Sequence, residues 1–347
     1  MKRSILFTSV LCLIVVSYSV AGTWYVKPDG TGDVPTIQAA VDTVAPGDTV
    51  LLASGTYTGT GNHDIVVPDK ELVIVSETGD PDDCVIDCQG YLDNNRRAFS
   101  LGYSPSSRVI RGITIRNGIK DLGGGIHCDG DLTMKDCILE SNTGTWRGGA
   151  IALTEFARDV ELVECVLISN GATDPAVALG GAIVIQGINL YLTIDSCEFY
   201  YNSADVGGAI GFYANEGAVS IAHSLFVGNT ASSGGGGIAV TNAEVDIDCC
   251  TFYANQAPKG SGIYTDTWPH GWDYSMTDVS NCIIACGIGG NGYHQPHYNP
   301  ADPSFQCNNV YGNEGGDYAD SLVIRLGVDG NFSACPRFAT TWLSHMT

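Results

Sequence analysis

Arg111, Arg147, Arg158, Asp159 and Glu161 are the residues whose types and proximity in the chain first suggest chemistry. A base beside a cation can run an elimination by holding the developing negative charge, and paired carboxylates about 5 to 9 Å apart can cleave a glycosidic bond. Asp93, Arg96, Arg97, Arg108 and Arg116 crowd the same part of the chain, and Trp146 adjoins Arg147. An acidic polysaccharide is one expected ligand for this patch; local ion pairs on a solvated surface are the other account.

A second constellation is aromatic. The stretch TDTWPHGWDY (265–274) carries Trp268, Trp272 and Tyr274, and Tyr293 follows. Flat rings of this kind stack on sugars, or else cover the end of a core. His270, His294 and His297 have a spacing that matches no specific metal signature. Asp80, Asp82 and Asp83 in GDPDDC form a Ca²⁺ candidate, with a solvated acidic turn as the alternative. No other cofactor is expected.

The elements that must position these groups are written as a repeat. GGGI, GGAI or GSGI ends at Ile126, Ile151, Ile183, Ile210, Ile238 and Ile263, in steps of 25, 32, 27, 28 and 25 residues. Asn117, Asn142, Asn170, Asn202, Asn229 and Asn255 keep nearly the same count, as do Cys137, Cys165, Cys197, Cys250 and Cys282, with Ser224 filling one place. Such a period marks one supersecondary unit stacked many times. The segments between markers, such as VELVECVLI and AEVDIDCCTF, are short, β-branched and bounded by Gly, Asn and Asp, hence strands.

A coil of 25 to 30 residues predicts three strands and three turns, in an all-β, right-handed parallel β-helix. Inward positions then stack coil on coil. The asparagines are expected at sharp left-handed turns, passing hydrogen bonds up the stack, and the glycines at corners with no room for a Cβ. The cysteine column is read as buried free thiols rather than bridges, because parallel side chains are poorly aimed at one another. Cys84 with Cys88, and Cys307 with Cys335, are the disulfide candidates. Insertions gather after the Ile marker, so loops 152–160, 213–218 and 264–278 are expected to form a ridge that carries the site. TIQAAVDTVAPGD (36–48) is the expected capping helix at the N-terminal end.

Residues 1–21 read as a signal peptide, with Lys2 and Arg3 before an apolar run and small residues at Ser19 and Ala21. Residues 22–287 are then the β-helix with its cap, and 288–347 irregular coils and a tail. The chain holds 16 Lys+Arg against 38 Asp+Glu, a net charge of −22, which argues against a nucleic-acid partner. No later apolar stretch is long enough to span a bilayer. A secreted or cell-surface monomer is expected.

Thr23 to Tyr57, TWYVKPDGTGDVPTIQAAVDTVAPGDTVLLASGTY, resembles the N-terminal portion of secreted pectin-lyase-like β-helix proteins, pectinesterase-like chains among them. The alternation of GGAI with FYYN, FVGN and FYAN resembles the repeats of chlamydial polymorphic outer-membrane proteins. Together these resemblances cover about 23–287 and imply a scaffold used by lyases, esterases, hydrolases and adhesins. The aspartates, glutamines and arginine of pectinesterases have no clear counterpart here, nor does the Ca²⁺ site with arginine base of pectate lyases. The expected function is non-catalytic recognition or adhesion, with carbohydrate or a surface protein as partner. The alternative is a polysaccharide lyase or glycoside hydrolase.

Overall fold

The computed structural model describes residues 21–91, 93–174, 176–213, 215–266, 275–295, 304–317 and 326–336. Its strands form four parallel sheets of eleven, ten, seven and nine strands, wound into a right-handed β-helix. One coil runs through them in that order: Asp159–Val163, Val166–Ile168, Gly171–Ala172, then Ile183–Ile185. The expectation of three strands per coil is thus corrected to four for the regular coils. The glycine phrase is the reason, because it bends the third side sharply and splits it into two sheets.

That bend needs glycine twice. Gly180 sits at φ +65°, and a Cβ on Gly181 would lie 2.0 Å from the Gly208 carbonyl oxygen of the next coil. Backbone meets backbone at this corner.

The corner between the ten- and seven-stranded sheets is held by asparagine. The Oδ1 of Asn170 accepts from the backbone N–H of Asn142 at 3.0 Å and from its Nδ2 at 3.1 Å. Asn202 does the same for Asn170, Asn229 for Asn202 and Asn255 for Asn229. Each Nδ2 also donates to a carbonyl of the preceding coil, Asn202 to Leu167 at 2.8 Å. Only a side chain with a donor and an acceptor on one planar head satisfies all of these buried groups at once.

Asn117 does not belong to this ladder. Gly118 N–H donates to Asn142 Oδ1 at 2.9 Å, so Gly118 holds the ladder place, and Asn117 sits one residue earlier at φ +56°. Ser141, Ser169, Tyr201 and Ala254 share that left-handed position in later coils. Two tasks expected of one asparagine are therefore divided between neighbours: one residue turns the chain and the next carries the bonds.

The cysteine column lies at the corner between the eleven- and ten-stranded sheets and repeats the ladder's logic with a weaker donor. The Sγ of Cys137, Cys165, Cys197, Cys250 and Cys282 lies 3.5 to 3.7 Å from a carbonyl oxygen one coil below. Asn308 Nδ2 replaces the thiol in the next coil and reaches Val279 O at 2.9 Å. Between the corners, Phe199, Phe226 and Phe252 stack at 4.6 and 4.7 Å along the core axis.

Helix Ile37–Thr43 covers the first coil with Ile37, Ala40 and Val41, and Thr36 Oγ1 caps it by accepting from Ala39 N–H at 3.2 Å. Replacing Asn202 by Ala takes their partner from the Asn170 N–H and the Leu167 carbonyl and one of two donors from Asn229 Oδ1, each orphaned group costing about 1–3 kcal/mol. The urea midpoint of Asn202→Ala is expected to fall steeply while Asn117→Ala stays near wild type; equal effects would remove the ladder from its place in the fold.

Candidate functional site

The two ladder corners and the glycine corner are closely packed, and among the coils 126–263 the added residues there fall in one place, between Asn170 and Ile183. The fourth corner, between the nine-stranded and eleven-stranded sheets, is where loop length varies, as expected for 152–160 and 213–218. Exposed Tyr103, Phe156, Ile188, Tyr191 and Tyr213 follow one another along this corner. Tyr103 and Phe156 meet edge to face with centroids 6.0 Å apart.

Arg147 lies at the glycine corner, with its guanidinium 4.7 Å from the ring centroids of both Trp146 and Tyr213. Its Nε is buried without a hydrogen-bond partner, and burial holds its pKa below the usual arginine value. Trp146 and Tyr213 each keep an exposed face. Cation, two rings and an unused donor make a polar end to the aromatic ridge. Tyr213 was not legible as a partner of Arg147 because the two belong to different coils.

The remaining charged candidates do not converge. Arg111 Nε pairs with Asp136 at 3.0 Å, and Glu161 meets Lys135 at 3.7 Å. Arg111 and Glu161 are two coils and two residues apart on the eleven-stranded sheet, while Arg147 belongs to another side of the coil. Arg158 and Asp159 are exposed. The expected basic patch is spent on structure. Arg97 bonds Leu122 O and Asp121, Arg116 pairs with Asp87 and Glu140, and fully buried Arg108 donates to Gly102, Ser104 and Asp131 carbonyls. Arg97, Arg108, Arg111 and Arg116 are thus engaged within the chain, although Arg111 keeps about half of its side chain exposed.

Tyr293 is 0% exposed and packs on Phe305 in the core, so it offers no face to a sugar. Its place inside the nine-stranded sheet explains the burial. Trp268, Trp272, Tyr274, His270 and His297 lie outside the described residues. His294 stacks on Tyr264 at 5.6 Å. Asp80 is committed as a cap, its Oδ1 accepting from Asp82 N–H at 3.0 Å, while Asp82 and Asp83 face solvent. Among the described residues no group of three His, Cys, Asp or Glu side chains is placed to hold a metal ion.

One acid pair escaped the sequence reading. Asp246 and Asp278 are register partners on adjacent coils of the eleven-stranded sheet, pointing outward. Such coils are about 4.8 Å apart. Partial burial and then the Asp278 charge push the Asp246 carboxyl up, while Asp278 Oδ1 accepts from Ser304 N–H at 2.7 Å. Unequal environments of this kind separate an acid from a base. Each residue stands four places before a column cysteine, Cys250 or Cys282, which is the signal that aligns them.

All twelve described cysteines are free. Cys84 and Cys88 are both buried and lie four residues apart, Cys84 opening an extended strand and Cys88 just beyond its end, about 13 Å along the chain, too far for a bridge. Cys307 and Cys335 are exposed and unpaired. Burial pushes the Cys84 thiol up to about 12 and the Cys128 thiol to about 11, so both stay protonated and inert near neutrality. A thiol reagent is expected to label Cys249, Cys307 and Cys335 in the native protein and the remainder only after denaturation; near-absence of thiols in the denatured chain would refute this.

Comparison with known proteins agrees with the architecture. A family profile described as a right handed beta helix region matches residues 82–252, just short of half the chain. A solved pectate lyase, Pel9A, superimposes with a TM-score of 0.57 at 16% identity, over 87% of this chain and 79% of that one. The chain shares that lyase's fold. The pectin-lyase-like resemblance is thus upheld at the level of architecture. A pectin methylesterase from carrot aligns at 14% identity and a TM-score of 0.42, over 92% of this chain and 90% of its own. In sequence, a metabotropic glutamate receptor-like protein R of Dictyostelium discoideum is 27% identical over 174 residues, 49% of this chain. The match spans only 10% of that protein's length.

Proposed function

We propose that this chain is an exported recognition protein that binds an extracellular polysaccharide along its fourth corner. The observation that carries this reading is the set of exposed Tyr103, Phe156, Ile188, Tyr191 and Tyr213 at or beside the variable loops of one corner, ending at the Trp146–Arg147–Tyr213 cluster. Exposed rings on a rigid scaffold present flat apolar faces, with the Arg147 guanidinium held against two rings at one end. The charge of −22, with Arg97, Arg108, Arg111 and Arg116 already engaged, repels a polyanion and favours a neutral glycan. Export rests on the reading of residues 1–21 as a signal peptide.

Immobilised neutral glycans such as xylan, mannan and glucan are expected to retain the protein more strongly than polygalacturonate does. Phe156→Ala and Tyr213→Ala are each expected to weaken binding about tenfold with little change in melting temperature. Failure to bind any neutral glycan, or binding untouched by both substitutions, would discard the ridge as a ligand site.

A second reading is favoured by the Asp246 and Asp278 pair. Two outward carboxyls on adjacent coils, Asp246 pushed up by partial burial and by its neighbour, are the arrangement of a glycoside hydrolase whose two acids stand close together. Release of reducing ends from the same glycans, lost by at least a hundredfold in both Asp246→Asn and Asp278→Asn, is the expected signature; an assay without product leaves recognition as the function.

A further inference from the structure

We propose that Ser100, His127 and Asp129 form a nucleophile, base and positioning carboxylate for hydrolysis of a carboxylic ester. None of the three is a ridge aromatic or a member of the Asp246 pair, although Asp129 stands on the short fourth-corner loop between those of Tyr103 and Phe156, and the proposal does not rest on the glycan reading.

The nine-stranded sheet creates the juxtaposition. Strand Phe99–Leu101 buries Phe99 and Leu101, which leaves Ser100 on the outer face. Strand Ile126–Cys128 buries Ile126 and Cys128, leaving His127 on the same face. His127 and Ser100 are register partners on adjacent parallel strands, so the serine and imidazole project side by side about 4.8 Å apart at the backbone. Asp129 is two residues beyond His127 on the same face, with Oδ2 at 3.6 Å from His127 Nδ1. Its other oxygen, Oδ1, accepts from the Thr154 hydroxyl one coil above, which fixes the carboxylate.

A carboxylate at Nδ1 favours the tautomer with its proton there and leaves Nε2 as the basic nitrogen. The groups acting on the ring are all identifiable. Burial lowers the His127 pKa, Asp129 opposes this, Arg97 lowers it further and Asp121 raises it slightly. The net direction is down, which favours the neutral imidazole that a general base requires. Arg97, held by Leu122 O at 2.7 Å and Asp121 at 3.0 Å, is the fixed cation beside the site and can stabilise an oxyanion. Val66 is exposed one coil below Ser100 and gives an acyl group an apolar approach from that side, while the buried Ala152 one coil above His127 closes the other.

In the forward step Ser100 Oγ bonds the ester carbonyl carbon as its proton passes to His127. The bond to the alcohol oxygen breaks, and that proton leaves with the alcohol. Water, deprotonated by His127, then attacks the acyl carbon and breaks the acyl–Oγ bond, and the proton returns to Ser100. Ester and water become acid and alcohol with no other reactant.

The test uses the whole protein with 4-nitrophenyl acetate and, separately, a fluorophosphonate probe read by peptide mass spectrometry. Wild type is expected to turn over the ester and to carry the probe on Ser100. Ser100 makes no side-chain hydrogen bond, so Ser100→Ala should melt like wild type while losing turnover by at least about a hundredfold; His127→Gln should lose both turnover and labelling. Asp129→Asn should keep the label, turn over more slowly, and move the acidic limb of the pH profile to lower pH, because the carboxylate that raises the ring's pKa is gone. Turnover that survives Ser100→Ala, or a probe that avoids Ser100, overturns the proposal. Glycan retention is measured on the same variants and should be unchanged, so failure of the ridge and failure of the ester chemistry are read separately.

Discussion

Hydrogen bonding from one coil to the next is the constraint on which everything else depends. A solenoid corner exposes backbone donors and acceptors at every level, and burying them unpaired would cost more than the coil gains from its core. Asn142, Asn170, Asn202, Asn229 and Asn255 answer this at one corner by linking three successive coils per side chain. At another, thiols of Cys137, Cys165 and Cys197 give way to Asn308 and Asn331 further along, where the same carbonyls receive amide donors. The two columns are one solution written with donors of different strength.

This constraint also decides where function can reside. At three corners the chain is pinned by ladder bonds or by glycine backbones in contact, and even the added residues between Asn170 and Ile183 leave Ile151, Ile183 and Ile210 in register. Most of the variation falls at the fourth corner, where the loops bring Phe156, Ile188 and Tyr213 into solvent. The ridge is thus a consequence of the rigid corners.

The repeat, the strands, the capping helix and the variable corner were legible because each is local or periodic. Residue-level placement was harder, since an error of one position exchanges a turn residue for a ladder residue, as Asn117 and Gly118 do. Tyr293 looked like a surface aromatic because its neighbours in the chain are polar, but strand alternation points it inward. The arginines looked like a ligand patch because their partners Asp87, Asp121 and Asp136 lie on other coils or beyond a turn. Asp246 with Asp278, and Ser100 with His127, are 32 and 27 residues apart in sequence and adjacent only through exact register.

Register of this kind makes chemistry between coils inexpensive in entropy. In most folds a serine, a histidine and a carboxylate from separate segments must be held by several independent contacts, each with its own freedom. Here the sheet bonds that hold strand Ile126–Cys128 against Phe99–Leu101 already set the separation and direction of His127 and Ser100. Thr154, one coil further, needs to add only one bond to fix Asp129. A parallel β-helix can therefore acquire a reactive set by changing outward residues alone, without disturbing the inward ladder that keeps the coils aligned.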